Sequence, residues 1–246
     1  MLQSSVLDEK ISVRFLLGVM GTLVALLAAA LIVLVSLVMG VPPVALVGRA
    51  LNALFALNSV QALWYVTRAA GLVAYLLLWL STVWGLVIPT KFFDPRLPGA
   101  LAYDLHEFLS LLSIGFIVLH IVVLLGDRYL PFSVAGILVP FVAPYRPVWV
   151  SAGIIGMYLT LLVSITFYLR RHIGAAAFRA IHLASFGAYV AAALHGLMAG
   201  TDSPLAVTRL MYAGTSLAVV FLTVYWIMLL VFRRLAPAPA RSANRS

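Results

Sequence analysis

The chain contains no cysteine at all among its 246 residues. Disulfides, iron–sulfur clusters and thiolate metal sites are therefore excluded together. Charge is equally sparse, at 9% of residues, and only seven of those side chains are acidic. So few carboxylates leave little room for an oxygen-ligated metal cluster or a paired-carboxylate active site. No long basic run interleaved with aromatics exists to hold nucleic acid, although the formal net charge is +9. No hydroxyl residue, Ser110, Ser113 and Thr201 included, has an identifiable activating partner, so hydrolytic chemistry is not expected.

What is present is apolar. Hydrophobic residues make up 64% of the chain, and the mean hydropathy is +1.13. A soluble domain of this size could not bury that much apolar surface, so the composition describes an integral membrane protein. The first apolar run, from Phe15 to Met39, is too long for a signal-peptide core and reads as a retained span.

About 20 apolar residues cross a hydrocarbon core. Six segments qualify: 15–40, 63–88, 104–126, 147–169, 178–199 and 208–232. Prolines at 42–43, 89, 95–98, 140–147 and 204 fall between or at the ends of these runs. The expected architecture is an all-α six-helix bundle. A short N-terminus (1–14) precedes a single transmembrane domain (15–232), and a disordered Ala/Pro/Arg/Ser tail (233–246) follows it.

Orientation follows from the cations. With the N-terminus inside, eleven Lys and Arg residues lie on the cytoplasmic side: Lys10, Arg14, Lys91, Arg96, Arg170, Arg171, Arg179, Arg233, Arg234, Arg241 and Arg245. Arg49, Arg68, Arg128, Arg146 and Arg209 fall on the other. That bias predicts N-in and C-in. The two outward connections, 41–61 and 127–146, are too apolar for free loops. VALVGRALNALFAL (44–57) suits an interfacial helix, and the proline-bounded PFSVAGILVPFVAP (131–144) suits a segment dipping back toward the bundle. Either both pack on the helix ends, or they form a lid near the outer surface.

Four of five histidines sit in two spans. DLHEFLSLLSIGFIVLH (104–120) carries His106 and His120, and HLASFGAYVAAALH (182–195) carries His182 and His195. At 1.5 Å per residue each pair is spread over about 20 Å of helix. The third and fifth spans both start on the cytoplasmic side, so His106 shares a depth with His182, and His120 with His195. Two imidazoles at each of two levels, with no thiolate nearby, suit bis-histidine haem iron. Phase fits less evenly. Fourteen positions bring His120 to within about 40° of His106, whereas thirteen leave His195 roughly 140° from His182 on an ideal helix. The second pair needs a helix twist, an irregularity near Gly187, or haems entering at different angles.

Other residues carry open alternatives. Arg68, about two turns inside the second span, needs a carboxylate such as a haem propionate or must snorkel to the surface. Arg179 and Lys91 suit the inner propionates, or simply the cytoplasmic anchoring of the bundle. Asp104 and Glu107 flank His106 and either fix its tautomer or face headgroups. Gly115, Phe116, Phe186 and Gly187, midway between the histidines, suit approach of a macrocycle or ordinary helix packing. His172 belongs to a solvated loop.

TRAAGLVAYLLLWLSTVWG (67–85), HEFLSLLSIGFIVLH (106–120), YRPVWVSAGIIGMYLTLLVSITFYLRRHIG (145–174) and FRAIHLASFGAYVAAALHGLMAGTDS (178–203) together resemble the ferric reductase-like transmembrane domain family. That superfamily includes NADPH oxidases, eukaryotic ferric reductases and the bacterial haem-binding subunit serving a periplasmic methionine sulfoxide reductase. The resemblance covers roughly residues 60–232. It implies an inner b-type haem on His106 and His182 and an outer one on His120 and His195. It also implies a bacterial inner-membrane setting, with electrons passing from the cytoplasmic side to ferric iron, oxygen or a periplasmic redox protein. The chain has no Gly-x-Gly-x-x-Gly turn for a dinucleotide, so a partner flavoprotein or a membrane quinol is expected to supply electrons. The rival expectation is a non-redox transporter or assembly subunit whose histidines bridge helices or pass protons.

Overall fold

The computed structural model describes residues 60–90 and 99–235, with single positions 33, 36–38, 40–43 and 45 before them. The expected first span, the 44–57 helix, Lys91 and the 236–246 part of the tail thus lie wholly or mostly outside the described residues. The described residues are all-helical, and five helices are long and apolar enough to cross a membrane. The protein is a multi-pass membrane protein.

Helix α1 spans Ala62–Thr90 and α2 spans Gly99–Leu125. A five-residue helix, α3 (Val134–Leu138), lies in the connection to α4 (Pro147–Ile173). The next span is divided into α5 (Ala175–His182) and α6 (Ala184–Ala199), with one residue, Leu183, between them. The last, α7, covers Ala206–Leu235. The second to sixth expected spans all appear, with ends shifted by a few residues. The largest shift, at the start of α2, takes the helix back to Gly99, directly after Pro98.

In lipid a helix meets its own backbone hydrogen bonds, and its neighbours are chosen by close fit rather than by hydrophobicity. The side chains sort accordingly. On α2 the large apolar residues Leu101, Phe108, Leu111, Val118 and Val122 are exposed, whereas Ser113 is fully buried. Ser151, Thr160 and Ala188 are likewise inside. The closest seam joins α4 to α6, where a Cβ on Gly156 would stand 3.3 Å from the Ala188 carbonyl and the Ala191 methyl. Buried and half-buried hydroxyls find carbonyls in their own helices: Thr82, Thr90, Thr160, Thr166, Thr215 and Thr223 each donate to a carbonyl three or four residues back.

The 126–146 connection is pinned from both ends. Asp127, 3% exposed, accepts from the backbone N–H groups of Tyr129 and Leu130 at 3.1 and 3.2 Å. Ser133 caps α3 through Gly136 N–H. The Tyr158 hydroxyl donates to the Leu138 carbonyl, Tyr145 to Ala199, and Arg146 to Met198. Backbone groups that would be stranded at a membrane surface are thereby satisfied.

Candidate functional site

The four span histidines come together in two pairs. The rings of His106 and His182 have centroids 6.1 Å apart, and those of His120 and His195 are 6.3 Å apart. In each pair the ring planes are steeply crossed, at 69° and 76°. Pairing His106 with His182 and His120 with His195 makes α2 parallel to the α5–α6 span, as the expected topology requires. His172 lies in the exposed last turn of α4, outside both pairs.

Three of the rings are fixed from behind by another helix. His106 Nδ1 lies 3.1 Å from the Ser81 carbonyl, His120 Nδ1 2.8 Å from that of Thr67, and His195 Nδ1 2.9 Å from that of Trp149. A carbonyl can only accept, so Nδ1 donates and Nε2 keeps its lone pair. Each of these rings also lies against a glycine. A Cβ would stand 2.9 Å from His120 at Gly71, 3.1 Å from His106 at Gly85, and 2.8 Å from His195 at Gly153. Glycine is required there for the ring to approach the helix. On α1 both the carbonyls (Thr67, Ser81) and the glycines (Gly71, Gly85) are fourteen residues apart, matching the histidine spacing on antiparallel α2.

A local irregularity adjoins His182. The helix is interrupted at Leu183, directly after His182, and Phe186 N–H bonds to the Leu183 carbonyl in a tight turn. Leu183 itself keeps right-handed helical angles, φ −62° and ψ −21°, and both levels close. The interruption comes four residues before Gly187.

Around His120 and His195 lies a largely apolar cavity of about 200 Å³. Its walls come from α1, α2, α4, α6, α7 and the 126–146 connection, whose Leu130, Phe132, Ile137 and Tyr145 face it. This connection thus packs on the helix ends and walls the cavity as well. Polar groups gather where Arg68 meets Asp202: Arg68 Nε donates to Asp202 Oδ2 at 2.9 Å, and Nη2 pairs with Oδ1. The carboxylate that Arg68 requires is supplied by the chain itself. Thr67 also lines the cavity, and its buried hydroxyl has no partner among the described residues.

Several expectations resolve differently. Glu107 accepts from the Tyr168 hydroxyl at 2.8 Å, and His106 is oriented by the Ser81 carbonyl rather than by a flanking acid. Gly115 is exposed and has no side chain or neighbouring helix within 4 Å among the described residues. Phe186 stacks on Trp226 of α7. Arg179 is exposed one turn before His182, with no carboxylate partner among the described residues.

Between the levels is a cluster that side-chain spacing did not single out. Tyr75 bonds the Thr215 hydroxyl at 2.6 Å and the Tyr189 hydroxyl at 3.2 Å, and its ring lies 4.6 Å from that of Tyr212. Among the described residues no group of three or more His, Cys, Asp or Glu could hold a bare metal ion. No family model, curated protein or solved structure matches the chain. The likeness to ferric reductase-like domains stands on the quoted residues alone.

Proposed function

We propose that the protein is a transmembrane cytochrome b that passes single electrons between two bis-histidine haems, inner and outer. The observation that carries this reading is the pair of histidine–histidine distances, 6.1 and 6.3 Å. Two imidazole–metal bonds of about 2.0–2.1 Å on opposite sides of one ion, plus about 1.2 Å from nitrogen to ring centre, would set the centroids about 6.4–6.6 Å apart, close to the separations here. Two imidazoles do not complete a coordination sphere by themselves. They suit an ion whose equatorial ligands arrive with a macrocycle.

The chain's own residues do the holding. The Ser81, Thr67 and Trp149 carbonyls fix tautomer and ring direction, and they raise the basicity of the ligating nitrogen. Mostly apolar walls surround His120 and His195 at the outer level. Asp202 occupies the Nε–Nη2 edge of Arg68 and leaves Nη1 to meet a propionate, beside the unpartnered Thr67 hydroxyl. The haems supply reversible one-electron chemistry. A six-span, N-in and C-in arrangement in a bacterial inner membrane would carry electrons outward. A flavoprotein or quinol is the donor in this reading, and ferric iron, oxygen or a periplasmic redox protein the acceptor. The chain is then the membrane component of an oxidoreductase.

A second reading has its own support. The three Nδ1–carbonyl bonds each join two helices, which is what histidines bridging a transporter or assembly subunit would do. Haem content decides between them. Wild-type chain from haem-replete cells is expected to give two b haems by pyridine haemochrome, and His106→Ala and His195→Ala about one each. Folded wild type without haem would overturn the electron-transfer reading.

A further inference from the structure

The connection between α2 and α4 is composed unlike an aqueous loop. No charged residue stands between Arg128 and Arg146, and the pairs Arg128–Tyr129 and Tyr145–Arg146 frame the stretch in mirror order. Arginine and tyrosine settle at a membrane–water interface. Both ends of the stretch therefore suit one interface, with the apolar PFSVAGILVPFVAP (131–144) between them. At the second end the Arg146 guanidinium lies over the Tyr145 ring, 5.2 Å from its centre.

Two contacts fix where that stretch runs. An exposed apolar stripe descends α4 through Val148, Ile155, Tyr158, Leu162 and Ile165, and on a spanning helix such a stripe meets acyl chains. Ser151 falls on the same stripe, between Val148 and Ile155, yet it is 1% exposed. Phe141 N–H donates to its hydroxyl at 2.5 Å, so the connection lies across the stripe there. Farther along, the Tyr158 hydroxyl donates to the Leu138 carbonyl at 2.6 Å. Ser151 and Tyr158 stand about 6 and 16 Å along the helix from Pro147. A helical side chain leans toward the N-terminus, which puts the Leu138 carbonyl between those depths. Counted back from Arg170, about 20 residues of hydrocarbon reach Val150, so Ser151 stands at the rim and Tyr158 well inside. From Phe141 back to Leu138 the chain thus runs down the side of α4.

The segment has two kinds of surroundings. Phe132 and Ile137 line the cavity around His120 and His195, and Ile137 packs with Val150 and Ile154. Val134, Leu138, Val139, Phe141 and Val142 are exposed instead. Phe141, 66% exposed, holds a φ of 69°, a backbone conformation that a bulky residue seldom adopts. Prolines 131, 140 and 144 have no N–H to strand in lipid, and Val139 N–H is bonded to the Ala135 carbonyl at 2.8 Å. We infer that residues 134–142 form a re-entrant wall immersed in the leaflet nearest the His120 level, and that acyl chains are the partner of its exposed face. That face continues the acyl-facing stripe of α4. One thickness of chain, Ile137 inside and Leu138 outside, then separates the cavity from the bilayer. The inference does not depend on what the cavity holds.

Because the chain has no cysteine, one introduced anywhere is its sole thiol. Leu138→Cys and Val142→Cys are each labelled with a nitroxide in the full chain and reconstituted into phosphatidylcholine liposomes. Leu162→Cys on the bare stripe and His172→Cys in the exposed last turn of α4 serve as references. Electron paramagnetic resonance then compares collisions of the label with oxygen, which concentrates in hydrocarbon, and with a water-soluble nickel chelate. The oxygen-to-nickel ratio at Leu138 and Val142 is expected to be severalfold above that at His172, with Leu138 the higher of the two and near Leu162. A Leu138 ratio as low as that at His172 would put the segment in water and overturn the inference. Shielding of Leu138 from both reagents would also overturn it, because a second copy or another part of this chain would then cover the face. Val134→Cys, on the same exposed face, takes the place of Leu138→Cys if that variant does not fold.

Discussion

The two histidine levels are built from the same parts to different tolerances. At the His120 level both rings donate to carbonyls, both rest on glycines, and a cavity walled by a pinned connection encloses them. At the His106 level one ring is held in this way. The other, His182, has no hydrogen-bond partner for its Nδ1 among the described residues. Two imidazoles can stand at the same separation, 6.1 against 6.3 Å, with quite different support behind them. Position alone is therefore a poor measure of how firmly a site is held. The backing groups decide it.

The comparison is broken most severely at Gly153. A Cβ there would stand 2.8 Å from His195 Nδ1, and the residue lies in the closest helix seam of the molecule. Gly153→Val adds branching that cannot retreat, and overpacking of this kind costs about 1–3 kcal/mol. The variant is expected to lose about one haem per chain by pyridine haemochrome, with the His106 level retained. Loss of both haems together would show that the two levels do not assemble independently. A milder version compares Gly71→Ala with Gly85→Ala, whose added methyls would meet His120 at 2.9 Å and His106 at 3.1 Å. Both should lower thermal stability in detergent, Gly71→Ala more than Gly85→Ala. A reversed order would mean that the His106 level is the tighter one.

These glycines show where sequence reasoning reached and where it stopped. Side-chain spacing was enough for the five described spans and for bringing the histidines together in two pairs, because depth in a membrane is set by rise per residue. The interruption after His182 was foreshadowed only as a phase mismatch; nothing about Leu183 marks it as the break. The acceptors of Thr67, Ser81 and Trp149 are backbone groups, to which residue identity is silent. Gly71 and Gly85 did carry a signal, a fourteen-residue interval equal to that of His106 and His120. It becomes meaningful once the two helices are known to be antiparallel neighbours. Asp202 was in plain view in GTDS, yet no local rule joins it to Arg68 across 134 positions.

That ion pair offers a sharper, smaller test of the His120 level. Its side chains are 29% and 18% exposed, so the pair is neither fully solvated nor sealed. Removing one partner strands the other, whereas removing both does not. Asp202→Asn and Arg68→Gln should each lower stability by about 1–2 kcal/mol. The double variant should cost less than the sum, with a coupling of about 1 kcal/mol in thermal unfolding. Additive losses would mean that the two side chains act separately. If Arg68 also meets a propionate, Arg68→Gln should weaken haem retention at this level more than Asp202→Asn does.

The smallest effect is expected between the levels. Tyr75 ties α1 to α6 and α7 through Tyr189 and Thr215. Tyr75→Phe removes one hydroxyl and keeps the ring on Tyr212. Thr215 remains bonded to the Met211 carbonyl at 2.8 Å, so the deletion leaves no stranded partner there. Interhelical hydrogen bonds in membranes average only about 0.6 kcal/mol, and a loss near that size is expected in thermal unfolding. Haem content should not change, because the Tyr75 hydroxyl bonds Tyr189 and Thr215 rather than a span histidine or its backing carbonyl. A change at just one level would tie the tyrosine cluster to that level; a change at both would make α1, which supplies the backing of His106 and His120 alike, the element that couples them.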